Sequence, residues 1–306
     1  MSTDNILVGT AQEPALTPGA TSTPPRRWWR RGSLRLRIGL GIVAFFVLMA
    51  VVGPFFVGDP NAFHAAILQG PSARFPLGTT NTGQDVFAQL VYGSRGTLEV
   101  GFLAAAVATL ISILIGIGGG YLGGRTDDAL SLLSNVVLVI PALPLIILVS
   151  AYLHSKSLLP LIAVIAFTSW AASARVLRAQ TLSVRQRDYV LAARASGEKS
   201  WRIVLVEILP NELPIVTAQF LFGVIFAILT AAGLAFLGLG NINSITWGSM
   251  LYYAQNDEAL TVGAWWWFVP PGLCIAILGA GLALANFGLD EVSNPRLRVV
   301  SRRRAR

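Results

Sequence analysis

Six stretches of this chain carry no charged residue and are long enough, or nearly so, to cross a hydrocarbon core: 38–57, 100–124, 129–153, 157–174, 213–240 and 263–289. A helical crossing takes about 20 mostly apolar residues. With no water inside a bilayer, each backbone N–H and C=O must also find its partner within the segment. The stretches are therefore helices, and the fold class is all-α: a polytopic membrane protein with six transmembrane helices. Only 12% of the residues are charged, where soluble domains approach a quarter. The first stretch reads as a retained span, because it begins near residue 38 and no small-residue cleavage pattern follows it.

Orientation follows from the basic residues, since short loops rich in Lys and Arg stay in the cytoplasm. Of the 23 Lys and Arg, all but Arg74, Arg95 and Lys156 fall on one side: from Arg26 to Arg37, at Arg125, from Arg175 to Arg202, and from Arg296 to Arg306. Both termini are thus expected in the cytoplasm, as an even number of spans demands of termini that share a side. The net charge of +8 then belongs to topology and to contact with anionic membrane lipid, and implies no nucleic-acid partner.

The chain divides into a disordered cytoplasmic tail at 1–25, a basic anchor and first span at 26–57, an extracytoplasmic loop at 58–97, a five-helix core at 98–290 with a cytoplasmic loop at 175–212, and a basic tail at 291–306. Trp28 and Trp29, set among Arg26, Arg27, Arg30 and Arg31, suit the headgroup level. In the outer loop, Gly78 and Gly83 predict a tight turn, Thr82 or Asp85 a helix cap, and "DVFAQLVYGS" a short helix on the membrane surface or on the bundle. Small residues in "GIGGGYLGG" favour close helix packing, and the prolines of "VIPALPL" and "WWWFVPPG" favour bends.

Several function classes are excluded on chemical grounds. Glu99 and Asp290 sit at span ends and no ionisable group is expected at mid-membrane, where ion-coupled carriers keep theirs. No glycine loop is followed by Lys-Ser or Lys-Thr, so the chain has no ATPase site of its own. A membrane-embedded enzyme needs a His, Asp or Glu cluster at depth, and none is visible. Cys274 is the only cysteine, so there is no intrachain disulfide and no multi-thiolate metal site; His64 and His154 read as solvated loop residues. A transporter with this sequence takes its energy from a partner.

The loop at 175–212 is amphipathic and helical in pattern. Tyr189, Ala192, Ala193 and Ser196 form a small-residue stripe, Gly197 suits the position just past a helix end, and "EKSWRIVLVEI" predicts a second helix that Leu209-Pro210 stops. Two helices meeting at a glycine make a knob with Trp201 and Val204 as apolar teeth, fit for a groove in another protein. Thr217, Gln219, Thr230 and small residues suit a wide, weakly selective pathway through the spans.

The spacing Ala192-Ala193, three residues, Gly197, then Leu209-Pro210 resembles the EAA loop of bacterial ATP-binding cassette importer permeases. Leu191 stands where that family often has Glu, and Glu207 where it often has Ile. "FPLGTTNTGQDVFAQLVYGSR", "FLGLGNINSITWGSML" and "NPRLR" are similar to the signatures of the C-type permeases of dipeptide and oligopeptide importers, with Thr80 and Gln84 in place of the usual Asp and Arg. The match runs from about 34 to 298. The resemblance implies a type I importer permease in the bacterial plasma membrane, not an enzyme, paired with a homologous second permease and importing peptides, or by the same architecture oligosaccharides or nickel complexes. It implies two cytoplasmic ATPases that carry ATP and Mg, gripping Leu191, Ala192, Ala193, Gly197, Trp201, Leu209 and Pro210, and no cofactor or metal on this chain. An extracytoplasmic substrate-binding protein would dock on 58–97 and 240–262.

Overall fold

The computed structural model describes residues 34–152, 157–239, 241 and 243–293, within one unit that begins at residue 32. The first tail, Trp28, Trp29, His154, Lys156 and the basic tail from 294 lie outside the described residues. Helices make up the architecture: α1 Leu34–Val52, α2 Val86–Leu122, α3 Gly124–Val139, α4 Ala142–Tyr152, α5 Leu159–Val184, α6 Asp188–Ala195, α7 Ser200–Phe236, α8 Trp247–Asn256 and α9 Trp265–Ser293. Among the described residues, the β-type pairing is one isolated bridge, Thr79 to Asp85.

Helices α1, α2, α5, α7 and α9 are each long and apolar enough to cross a membrane, and α3 with α4 is an apolar pair bent by 76°, a broken span or a re-entrant loop. The bend sits at Ile140-Pro141. Ile140 is extended, with ψ 124°, because the Pro ring crowds a helical conformation in the residue before it. Pro141 also lacks the N–H that would carry the helix through. Five of the six spans expected from hydropathy are thus single helices, and the third corresponds to this bent pair.

A stripe of small residues spaced by four seats α2 on α5. Ala104 and Ala108 are buried; Ser112 Oγ lies 2.7 Å from Ala108 O and 2.8 Å from Trp170 O; Gly116 and Gly120 follow one and two turns later. A Cβ on Gly116 would stand 2.5 Å from Ala174 O, and one on Gly120 3.0 Å from Thr181 Cβ. Glycine at these positions lets the two backbones touch, as the "GIGGGYLGG" run predicts. Helix α1 lies antiparallel on α9, with Gly39 facing the backbone of Gly281 and Ala285 and Arg35 paired to Glu291 at 2.9 Å. The first and last described residues thus share one end of the bundle, the end that carries α6.

The opposite end carries α8, which hydropathy did not reveal. Thr246 opens it with a capping box: its hydroxyl accepts from Ser249 N at 3.0 Å, and the Ser249 hydroxyl accepts from Thr246 N at 2.9 Å. Trp247 is fully buried, its backbone N–H donating to Thr97 Oγ1 at 3.0 Å and its indole N–H to Leu90 O at 2.9 Å. With Phe46, Val86, Met250, Trp267 and Leu278 it forms the largest core of the molecule.

The structure corrects several boundaries. The segment 85–94 is no separate surface helix but the first turns of α2, capped by Asp85, whose carboxylate accepts from Phe87 N at 2.8 Å. The outer loop therefore ends at 85 rather than 97. At 37 residues, α2 measures about 55 Å at 1.5 Å per residue and overruns a hydrocarbon core of about 30 Å. Glu99 lies inside it, exposed, not at its end. Helix α5 likewise runs ten residues past the expected span end at 174. His64 is partly buried, with Nδ1 3.1 Å from Gly83 O and its ring edge against Phe75, so it clamps the outer loop instead of facing solvent. Gly78 and Gly83 do take positive φ, 70° and 78°.

Replacing Gly116 with Ala should destabilise the protein by about 1–3 kcal/mol, since the new methyl meets backbone that cannot yield. Gly118→Ala, where nothing lies within 4 Å, should be neutral or mildly stabilising. Thermal unfolding of both variants in detergent checks this: the midpoint should fall for the first and not for the second.

A candidate coupling surface at one end of the bundle

Helix α6 ends in a Schellman closure. Gly197 takes φ +78°, its N–H reaches Arg194 O at 3.1 Å, and Glu198 N–H reaches Ala193 O at 3.2 Å. A Cβ at Gly197 would meet nothing within 4 Å, so glycine is required there by backbone conformation and not by crowding. The turn that the sequence places at Gly197 is present.

The helix after it behaves differently from expectation. Leu209-Pro210 does not stop it: α7 continues from Ser200 to Phe236, through both Pro210 and Pro214. A π-helical stretch at Ile203–Ile208 directly precedes Pro210. Its wider turn gives room for a proline ring that would clash with a carbonyl four residues back, and absorbs the missing N–H. The Asn211 side-chain amide donates to Glu207 O at 2.6 Å, serving a carbonyl of the disturbed turn. The predicted second helix of the knob is therefore the first part of a span, and a displacement of the knob passes directly into α7.

Packing under α6 makes that transfer stiff. Val190 is completely buried, in one core with Ile117, Tyr121, Leu177, Val184, Ile203, Ile208 and Val216. A second π-helical turn, Ile113–Ile117 of α2, reaches this core, so the irregular turns of α2 and α7 meet beneath the knob. Polar contacts add to it. Arg178 donates to Asp127 through Nε at 2.5 Å and Nη at 2.8 Å, Arg185 donates to Gly120 O at 2.8 Å, and the Arg194 guanidinium lies 5.2 Å from the Tyr121 ring centre. Thr181 Oγ1 lies 2.9 Å from the carboxyl of Glu212, which is wholly buried. Helices α2, α3, α5 and α7 are joined to α6 at this end.

The outward side exposes apolar side chains among charged ones, Arg194, Lys199 and Arg202. Trp201 is 62% exposed and Leu191 43%, and Ala192, Leu205 and Val206 are also open, with Ala193 half-buried. Val204, expected as an outward tooth, packs instead on the core beneath; Leu205 and Val206 take its place, because the π turn shifts which residues face out. Leu209 leans on the same core, while Pro210 is exposed. Leu191 and Ala192 of α6 and Trp201 of α7 are exposed on either side of the Gly197 turn.

The residues expected along a pathway are not gathered into one site. Thr230 is buried, Gln219 Oε1 accepts from Ser173 Oγ at 3.1 Å, and Thr217 bonds back to Leu213 O of its own helix at 2.8 Å. Two residues apart on a helix, Thr217 and Gln219 face different directions.

At the α8 end, the loop 56–85 is held by hydrogen bonds to itself and to the spans. Thr80 Oγ1 accepts from Gln84 N at 3.0 Å and from Thr82 N at 3.3 Å, and Trp266 Nε1 donates to Thr79 O at 3.2 Å. A hydroxyl at Thr80 thus supplies the side-chain acceptor that an Asp would supply.

With this geometry in hand, comparison with known proteins is informative. Residues 109–299 match the family described as binding-protein-dependent transport system inner membrane component. The dipeptide transport system permease protein DppC of Alkalihalophilus pseudofirmus is 32% identical, over 94% of this chain and 98% of its own. The oligopeptide transport system permease protein OppC of Bacillus subtilis is 31% identical, over 88% and 90%. The probable D,D-dipeptide transport system permease protein DdpC of Escherichia coli is 33% identical, over 88% and 90%.

Substituting Gly197 with Ala should cost about 1–2 kcal/mol of local stability, the strain of a side chain at positive φ, and Asn should cost less. Amide hydrogen exchange across 188–205 would register this, with faster exchange in the Ala variant and an intermediate rate for Asn.

Proposed function

The chain belongs to the binding-protein-dependent transport system inner membrane component family, and from that premise we infer that it is the permease subunit of an ATP-driven importer of peptides in the bacterial plasma membrane. Its similarity to dipeptide and oligopeptide permeases over nearly the whole length of both chains supports the peptide class. A second, homologous permease completes the translocation pathway between the two sets of spans. Two cytoplasmic ATPases, each with its ATP and Mg, seat on the α6 knobs, and an extracytoplasmic binding protein delivers peptide to the α8 end. Both termini lie in the cytoplasm, the side to which the basic residues assign them.

The observation that carries this reading is the joint between α6 and the membrane helices. With Leu191 of α6 and Trp201 at the start of α7 exposed, and Val190 of α6 fully buried in the core beneath, the knob is a lever: open residues for a partner, a buried one fixed into the spans. Closure of the ATPases on ATP pushes the levers together, and because α7 begins at the knob and runs through the membrane, the push rotates spans instead of bending a loop. Packed cores move between discrete arrangements and not by continuous deformation, so the outcome is a switch between inward- and outward-facing states.

Trp201→Ala should lower ATP-driven peptide uptake at least tenfold in reconstituted vesicles, with insertion into the membrane unchanged. Co-purification in mild detergent reads the cause: the ATPases should be recovered with the wild-type chain and be depleted with the variant. Recovery of the wild-type complex without any ATPase would remove this account of the knob.

A further inference from the structure

At the α8 end a cavity of about 440 Å³ lies between the outer loop, α8 and the start of α9, within the ~300–1,000 Å³ typical of small-molecule sites. Its lining has an unusual chemistry. Six side-chain amides face it, from Asn61, Asn81, Gln84, Gln89, Asn243 and Asn256. Gln84 and Gln89 bond to each other at 2.9 Å. An amide carries both donors and an acceptor, the complement of a peptide main chain.

One acidic group gives the cavity a direction. Among the described residues, Asp257 is the only acidic side chain in the lining and no Lys or Arg borders the cavity. Asp257 also closes the C-terminal end of α8, where the helix dipole adds negative potential. A cation is therefore favoured and a carboxylate has no counter-charge. Trp267, 2% exposed, lines the same cavity as part of its apolar wall. Phe63, Ile245 and Met250 add apolar wall.

We propose that this cavity binds the free amino end of a short peptide, with the ammonium at Asp257, main-chain groups on the amides, and the carboxyl end directed outward. The inference rests on the peptide-import reading and adds to it a holding site on the permease itself, separate from the binding protein. Such a site retains a peptide by the group every unmodified peptide has, which suits a permease that leaves side-chain selection to its partner.

The test uses the assembled importer in lipid nanodiscs without its binding protein, and the peptides Ala-Phe-Ala and N-acetyl-Ala-Phe-Ala as probes, with binding measured by calorimetry. Saturable binding of the free-amino peptide, at least tenfold weaker for the acetylated one, is expected. Asp257→Asn should abolish that preference while Asp257→Glu keeps it. Equal binding of the two peptides, or a preference that survives in Asp257→Asn, would overturn the proposal. So would absence of direct binding in a complex that still takes up peptide with ATP once the binding protein is added, a result that leaves the import reading standing. Loss of binding-protein association in Asp257→Asn with no direct peptide binding would assign the cavity to docking and also overturn it.

Discussion

Inside a bilayer, apolar burial gives helices little reason to prefer one another over lipid, so the α2–α5 contact must rest on dispersion at close range and on hydrogen bonds that closeness permits. Ala108, Ser112, Gly116 and Gly120 supply both, with Ser112 reaching Trp170 O across the contact and the two glycines bringing backbone against backbone. Thr181, one of the residues that Gly120 meets, also contacts Glu212 on α7. The same close approach leaves Tyr121 and Gly120 at the right height to receive Arg194 and Arg185. Without it, α6 would have no fixed floor.

The two ends of the molecule divide the work by chemistry. The α6 end sets exposed Trp201 and Leu191 among exposed charges such as Arg194, Lys199 and Arg202, with the Arg178–Asp127 pair beneath. The α8 end has polar groups toward a cavity and Trp247 and Trp267 sealed into the core. A surface that must part from and rejoin a protein partner suits the first pattern, and one that must release a hydrated substrate suits the second.

Much of this could be read from the chain before its structure. Hydropathy marked the five spanning helices and the bent α3–α4 pair, since in lipid a run of apolar residues has few alternatives to a helix, and Gly197 announced its turn because few other residues take positive φ without strain. What escaped has a physical reason in each case. Charged Arg95 and Glu99 masked the start of α2, because helix continues where hydrocarbon ends and hydropathy reports only the latter. Pro210 was read as a stop because the π turn that accommodates it leaves no trace in composition. Helix α8 was hidden by its length of ten residues, although Thr246 and Ser249, three apart, spell a capping box.

The π-helical stretch at Ile203–Ile208 acts as a phase setter. Each residue in a helix advances the face by about 100°, and a wide turn holds more residues than the regular helix would over the same rise. The angular offset between Trp201, on the partner side, and the membrane portion of α7 is thus fixed by that stretch. Since α2 carries its own wide turn in the same core, two spans have their rotational settings stored side by side beneath one lever. Winding or unwinding either turn by a single residue would rotate a whole span about its axis without breaking the bundle apart.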